Sequence, residues 1–198
     1  MHRALDIAAA SVGLAVASPV IALAGLAIYL EDGWPVFYRH MRIGRGGVPF
    51  GLYKLRSMTR NASGPAITAA GDRRVTRVGR WIRKYKLDEL PQLWNVLIGD
   101  MSLIGPRPEA PAYVDLDAPE WRETLSCRPG ITDLATLMYR NEEALLGSSS
   151  NPEQFYREQI LPHKLQLNRE FLRRRTFWLE IKLIVLSVRH SFWPQDTV

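Results

Sequence analysis

Residues 4–30 form an almost unbroken apolar run of Ala, Leu, Val and Ile, with Ser18-Pro19 near its midpoint. Such a run is long enough to cross the hydrocarbon core of a bilayer as a helix. In lipid every backbone N–H and C=O must find a partner within the protein, which leaves a single apolar segment little choice but helix. Pro19 works against that geometry, since it has no N–H, crowds the preceding turn and disfavours helical backbone at Ser18. A bend is expected there, with the Ser18 hydroxyl able to serve a carbonyl that Pro19 leaves unpaired. Three readings compete. A cleaved signal peptide fits the Met1-His2-Arg3 start, yet Asp6 interrupts the approach and the run continues well past Ser18. A spanning helix fits the length. A re-entrant helix-break-helix, entering and leaving on one face, fits the break, and residue physics alone leaves these last two level.

The chain has 198 residues, enough for one compact domain with an appendage and too few for two full-sized domains. Lys+Arg 26 against Asp+Glu 20 gives a net charge of +6 and a pI near 9.7, which suits an anionic partner: nucleic acid, lipid or nucleotide phosphate. With no zinc spacing, helix-turn-helix or RNA-binding signature, no nucleic-acid partner is expected. The single cysteine, Cys127, excludes an internal disulfide and fits a reducing, cytoplasm-facing location. Lacking a His or Asp partner motif, it reads as a buried, inert thiol.

After the apolar run, Trp34–Arg39 and Val48–Lys54 read as extended segments flanking Gly44-Arg45-Gly46-Gly47, a β-hairpin whose glycines make a turn rather than a phosphate loop. Residues 61–71, NASGPAITAAG, read as a flexible loop near the site. Arg74, Arg77, Arg80 and Arg83 recur at every third position, a basic helical stripe from which Arg83 is the best site candidate. Residues 120–127 look helical, and residues 153–175 carry a helical pattern interrupted by Pro162. Residues 177–186 are strongly apolar, with Trp178 and Trp193 at the ends of the segment, and read as a core helix or one lying in the headgroup plane.

The most telling stretch is KYKLDELPQLWNVLIGDMSLIGPRPE, residues 84–109. Pro91 suits a first helical turn, and Leu87, Leu90, Trp94 and Leu97 recur at near-helical spacing, so a helix is expected from about Asp88. Asp88 and Glu89 then sit on its first turn, where free amides and the positive dipole end keep a carboxylate ionised and attract phosphate. Lys54 and Arg56 share one face of an extended strand, a placement that lets both reach one anion or leaves both on a polar, solvent-facing strand edge. Pro106 and Pro108 pin Arg107 between them, a rigid bidentate donor for phosphate or carboxylate. Arg128-Pro129-Gly130-Ile131-Thr132 is a turn by composition.

Taken in order, the apolar run with the hairpin, DRRVTRVGRWIRK, LDELPQLWNVLIGDMSLIGPRPE and RPGIT resemble the bacterial sugar transferases, the monotopic polyprenol-phosphate phosphoglycosyl transferases. The resemblance covers nearly the whole chain. It implies an α+β protein: a re-entrant membrane helix-break-helix over residues 1–30, then a compact, mostly helical cytoplasmic domain over residues 31–198 with a small β-hairpin and interfacial amphipathic helices. It favours the re-entrant reading, with Ser18 and Pro19 at the break. It further implies transfer of a sugar 1-phosphate from a UDP-sugar to a polyprenol phosphate of the undecaprenyl type, releasing UMP, at the bacterial inner membrane. By the same resemblance Asp88 is the nucleophile, Glu89 and Asp88 hold Mg²⁺, and Lys54, Arg56, Arg83, Pro106, Arg107, Pro108 and Arg128 bind substrate. A homodimer is admitted by the sequence and not demanded by it.

Two departures stand out. Where the family commonly has Gly-Trp-Ala-Gln after RPGIT, this chain has Asp133-Leu134-Ala135-Thr136, which bears on sugar recognition; and Asp-Pro-Arg is replaced by Asp72-Arg73-Arg74, an exposed change of little consequence. Two other functions compete: a metal-dependent glycosyltransferase using Asp115-Leu116-Asp117 and releasing UDP, and a non-enzymatic membrane scaffold.

Overall fold

The computed structural model describes residues 3–65 and 67–192; Met1, His2, Ala66 and Trp193, which figure in the sequence reading, lie outside the described residues. The apolar run forms helix α1 (Arg3–Asp32), long and apolar enough to cross a membrane, with Pro19 inside it. The helical pattern runs through Ser18-Pro19, where a break is expected, without interruption, and the reason is local. Pro19 offers no N–H to the Ala15 carbonyl four residues back, and the Ser18 hydroxyl donates to that same carbonyl at 2.8 Å.

Both ends of α1 are fastened to the rest of the chain. At its start the Arg3 guanidinium donates to the carbonyls of Val96 and Leu97 at 2.6 and 2.9 Å, and Asp6 accepts from the Ser102 hydroxyl at 2.7 Å. At its end Asp32 pairs with Arg56 at 3.2 Å, and Glu31 accepts from the amides of Arg77 and Val78, which open helix α2 (Arg77–Lys84). Between these anchors Ala10 packs with Leu52, Val96 and Met101, and Ala24 and Ile28 pack with Val36, Leu55 and Ile82. The other face leaves Val12, Val16, Leu23 and Leu30 exposed.

Strands β1 (Phe37–Ile43) and β2 (Pro49–Leu55) form the expected antiparallel hairpin, in register from Phe37 with Leu55 to Ile43 with Pro49, around the tight turn Arg45–Gly47. Helix α3 (Gln92–Ile98) leads into β3 (Ser102–Ile104), which pairs in parallel with β4 (Gly130–Thr132). Glycine is required where the strands meet. A Cβ on Gly130 would stand 2.1 Å from the Gly105 nitrogen, and one on Gly105 would stand 2.6 Å from the Arg128 carbonyl. This close approach seats Gly105-Pro106-Arg107 directly on the Arg128–Gly130 turn.

The remaining helices cover this frame: α4 (Pro119–Thr124), α5 (Leu134–Met138), α6 (Glu142–Gly147), α7 (Pro152–Phe155), α8 (Leu161–Arg173) and α9 (Phe177–Phe192). Pro162 does not interrupt the chain as expected, because a wide π turn over Tyr156–Ile160 joins α7 to α8 and leaves Pro162 in a first turn, where no N–H is needed. Tyr113, Trp121, Leu146, Tyr156 and Ile160 make one core cluster; Ile104, Phe171 and Leu183 of α9 make another. On the opposite face of α9, Phe177, Trp178, Val185 and Val188 are exposed.

Candidate active site

Asp88 and Glu89 enter the site on a tight 3-10 turn, Leu87–Glu89, that lies ahead of α3 rather than within it. Lys86, left-handed at φ 57, turns the chain from α2 into it. The amides of Glu89 and Leu90 are spent on the carbonyls of Lys86 and Leu87, each at 3.2 Å. This corrects the expected first-turn geometry: among the described residues no backbone amide donates to either carboxylate. Asp88 is only 4% exposed, and its Oδ1 is buried without a partner, while Oδ2 lies 3.7 Å from the Lys54 ammonium. Burial pushes the Asp88 carboxyl up, and the charges of Lys54 and Arg83 only partly offset this. Burial thus opposes ionisation of Asp88, and the cations Lys54 and Arg83, not a helix dipole, counter it in part.

Glu89 is the counterpart. Arg107 grips it with two nitrogens, Nη1 on Oε2 at 3.1 Å and Nη2 on Oε1, and Lys54 reaches Oε1 at 3.3 Å. Burial alone would raise the Glu89 pKa, but Arg107, Lys54 and Lys86 outweigh it and hold the group well below the usual carboxylate range. Two adjacent carboxylates thus differ in character, one ion-paired and acidic, the other desolvated with a free oxygen. Lys54 between them is pulled below the ordinary lysine range by burial, with Glu89 and Asp88 opposing.

The cations are placed by long-range contacts. Fully buried Asn95 on α3 accepts from the Tyr53 amide at 2.9 Å and donates to the Gly51 carbonyl at 2.8 Å, fixing β2 so that Lys54 meets the carboxylates. Pro106-Arg107-Pro108 is tied at each residue: the Pro106 carbonyl to the Gly130 amide at 3.0 Å, the Arg107 amide to Asp133 at 3.1 Å, and the Pro108 carbonyl to Arg42 at 3.3 Å. Behind it Glu109 lies between Arg42 at 3.6 Å and Lys164 at 3.8 Å, so burial of this carboxylate is outweighed by cations and its pKa is lowered.

Other expected site residues are committed elsewhere. Buried Arg56 points to the end of α1, donating to the carbonyls of Asp32 and Gly33 at 3.1 and 2.7 Å. Its backbone has left β2, so it does not share the Lys54 anion site. Arg83 donates to the Ser57 hydroxyl at 3.2 Å and pairs with Glu143 of α6, close enough to Asp88 to lower its pKa. Arg74 precedes α2 and folds back on Asp72 at 2.6 Å. Arg128 donates to the Gly99 carbonyl at 2.9 Å and lines a different cavity. Asp115 and Asp117 occupy an exposed turn in which the Asp117 amide donates to Asp115 at 3.0 Å. Cys127 is half-buried, and burial raises its thiol.

The sequence reading missed Asn95, Glu109, Lys164 and the supporting role of Asp133. Only Asp133 carried a signal: Asp133-x-x-Thr136 is a helix-cap spacing, and its Oδ1 accepts from the Thr136 amide at 2.6 Å to start α5. As for metal, Asp88 Oδ1 has no donor and Glu89 Oε2 has one, so two hard carboxylates side by side fit Mg²⁺, an ion that takes one or two carboxylates with substrate oxygens and water.

The sequence model of the bacterial sugar transferases matches residues 1–194. The chain belongs to that family. Three relatives set its range. It is 39% identical over 191 residues to the UDP-glucose:undecaprenyl-phosphate glucose-1-phosphate transferase of Caulobacter vibrioides, covering 94% of this chain and 67% of that protein. It is 34% identical over 194 residues to the UDP-N-acetylgalactosamine-undecaprenyl-phosphate N-acetylgalactosaminephosphotransferase of Aeromonas hydrophila, covering 96% of this chain and 43% of that protein. It is 33% identical over 202 residues to the UDP-glucose:undecaprenyl-phosphate glucose-1-phosphate transferase of Escherichia coli, covering 97% of this chain and 40% of that protein. The chain therefore spans less than half the length of the last two. In this bacterial sugar transferase the Arg73 departure is exposed, as expected, whereas the Asp133 departure reaches the site by holding the Arg107 amide.

Proposed function

We propose that this chain transfers a sugar 1-phosphate from a UDP-sugar to undecaprenyl phosphate or a related polyprenol phosphate, releasing UMP. The observation that carries the reading is the buried, partnerless Asp88 Oδ1 beside an ion-paired Glu89. A Asp88 oxygen attacks the β-phosphorus of the UDP-sugar; the bond from that phosphorus to the bridging oxygen breaks, and UMP leaves with the electron pair. The phosphate oxygen of the polyprenol phosphate then attacks the same phosphorus, displacing the Asp88 carboxylate and giving polyprenyl diphosphosugar. Lys54 and Arg107 offset the charge that spreads over the phosphoryl oxygens, and Arg83 joins them when released from Glu143. Glu89 and Asp88 would hold Mg²⁺, which when bound neutralises charge on the diphosphate.

In this reading residues 1–30 anchor residues 31–198 to the bacterial cytoplasmic membrane, with the catalytic domain on the cytoplasmic face. Re-entrant topology is supported by the anchoring of both ends of α1 on one domain, Arg3 at one end and Glu31 and Asp32 at the other. A 30-residue helix running straight through the bilayer would be about 45 Å long and carry those ends to opposite sides, so holding both on one face requires the bend that Pro19 favours within α1. Exposed Trp34, Trp81, Trp94 and Trp178 suit a headgroup layer. The deciding experiment incubates the protein with several UDP-sugars, Mg²⁺ and a polyprenol phosphate. UMP as the nucleotide product supports phosphosugar transfer; UDP would mean glycosyl transfer.

A further inference from the structure

Four arginines from distant parts of the chain line one cavity of about 250 Å³: Arg3 at the start of α1, Arg45 in the hairpin turn, Arg128 before β4 and Arg175 before α9. Ser102 and Ser126 add hydroxyls to its wall. Neither Asp88 nor Glu89, nor Lys54 or Arg107, lines it, so it is separate from the carboxylate cluster.

Gathering guanidinium groups costs Coulomb energy unless anions offset it. Here the chain supplies few. Asp6 shares the wall and offsets part of the charge, but its oxygens accept from the Ser102 hydroxyl and the Leu103 amide at 2.7 and 3.2 Å and it forms no ion pair with these arginines among the described residues. Glu180 pairs with Arg175 at 2.6 Å. Among the described residues no carboxylate lies within ion-pair range of Arg3, Arg45 or Arg128. Carbonyls orient two of them instead: Val96 and Leu97 accept from Arg3, and Gly99 accepts from Arg128 Nε, leaving both terminal nitrogens of Arg128 without a described partner. Exposed Arg45 makes no described side-chain hydrogen bond, while its turn is tied next to Ser126 by the Gly46 amide on the Leu125 carbonyl at 2.8 Å.

The geometry points to a second anion site, which binds the phosphate group of a membrane lipid. Guanidinium forks match phosphate oxygens, and arginines at a membrane surface are drawn to anionic headgroups. Position selects lipid over a soluble anion. Arg3 begins the apolar helix α1, and Arg175 stands two residues before Phe177, whose neighbour Trp178 is 78% exposed. The cavity is thus lined from the start of α1 and from the residue group just ahead of α9, the two apolar helices, so a headgroup seated there would have its acyl chains beside them.

The test uses the full chain in uncharged detergent and reads binding by calorimetry, with short-chain phosphatidylglycerol in one arm and inorganic phosphate in the other. Because no turnover is measured, failure here leaves the transferase reading standing. Phosphatidylglycerol should bind, and Arg45→Gln should weaken it about tenfold, the worth of a charge-assisted hydrogen bond, with Arg45→Gln/Arg128→Gln weakening it further. The exposed Arg45 side chain makes no hydrogen bond or ion pair among the described residues, so the single variant should fold. Arg73→Gln, which removes an exposed charge elsewhere, should leave affinity unchanged. Inorganic phosphate binding as tightly as the lipid would overturn the lipid assignment. An Arg45→Gln affinity equal to that of the unaltered protein, or an equal loss in Arg73→Gln, would overturn the site.

Discussion

Arg107 holds Glu89 with two nitrogens, Nη1 lying 3.1 Å from Oε2 and Nη2 bonded to Oε1. A planar fork makes this pairing and an ammonium cannot. Arg107→Ala is expected to lower kcat/KM by about 10²–10³, the scale for removing a preorganised charge donor. Arg107→Lys should recover little of it. Steady-state kinetics of the two variants decide the matter, and near-normal activity in Arg107→Lys would show that charge alone suffices.

A covalent intermediate on Asp88 predicts ping-pong kinetics. UDP-sugar without lipid acceptor should release about one equivalent of UMP per enzyme and leave a phosphosugar mass on the Asp88 peptide. Asp88→Asn should abolish both. UMP appearing only with the acceptor, and no adduct, would instead mean direct transfer.

Protonation follows from the opposed environments. The raised Asp88 pKa puts the acid limb of the pH–rate profile above the ordinary aspartate value of about 3.9, and the lowered Lys54 pKa puts the basic limb below the ordinary lysine value of about 10.4. For stability the signs are opposite within the pair. Asp88, raised on folding, favours the fold at pH below its unfolded pKa and loses that contribution as pH rises through the folded one; Glu89, depressed, contributes above its unfolded pKa and loses it as pH falls through the folded one. Asp88→Asn should therefore raise Tm at neutral pH, with the gap closing as pH falls towards the ordinary aspartate range. Thermal denaturation across pH checks this, and a lower Tm at neutral pH would contradict it.

Ser18 and Pro19 should behave as a pair. With the proposed anchor in lipid, Ser18→Ala strands the otherwise exposed Ala15 carbonyl at a cost of about 1–3 kcal/mol, while Pro19→Ala restores the missing amide. The double variant should regain stability, and helix formers at both positions should shift the segment towards spanning. Cysteine labelling near Met1 and Asp32 reads topology; an end accessible from the periplasm in the unaltered protein would sink the re-entrant reading.

Asp115→Asn and Asp117→Asn should leave UMP release unchanged, since both residues lie on an exposed turn and neither makes a described contact with Asp88, Glu89, Lys54 or Arg107. Loss of activity in either would restore the glycosyltransferase alternative.

Local patterns were legible in the residues: the apolar helix, the hairpin around Gly44–Gly47, and the succession of Asp88-Glu89 and Pro106-Arg107-Pro108. Each depends on neighbours a few positions apart, where periodicity and turn chemistry act. Tertiary packing decided the rest. Arg107 and Lys54 meet Glu89 because the Gly105–Gly130 approach and Asn95 bring separate segments together, whereas Arg56 and Arg128, equal candidates by residue type, are drawn to Asp32 and Gly99. Asp88 shows the limit most plainly. Its sequence neighbours suggest a carboxylate held ionised by a helix start; its actual state is set by burial and by cations from residues distant in sequence, because desolvation and Coulomb energy depend on position in space.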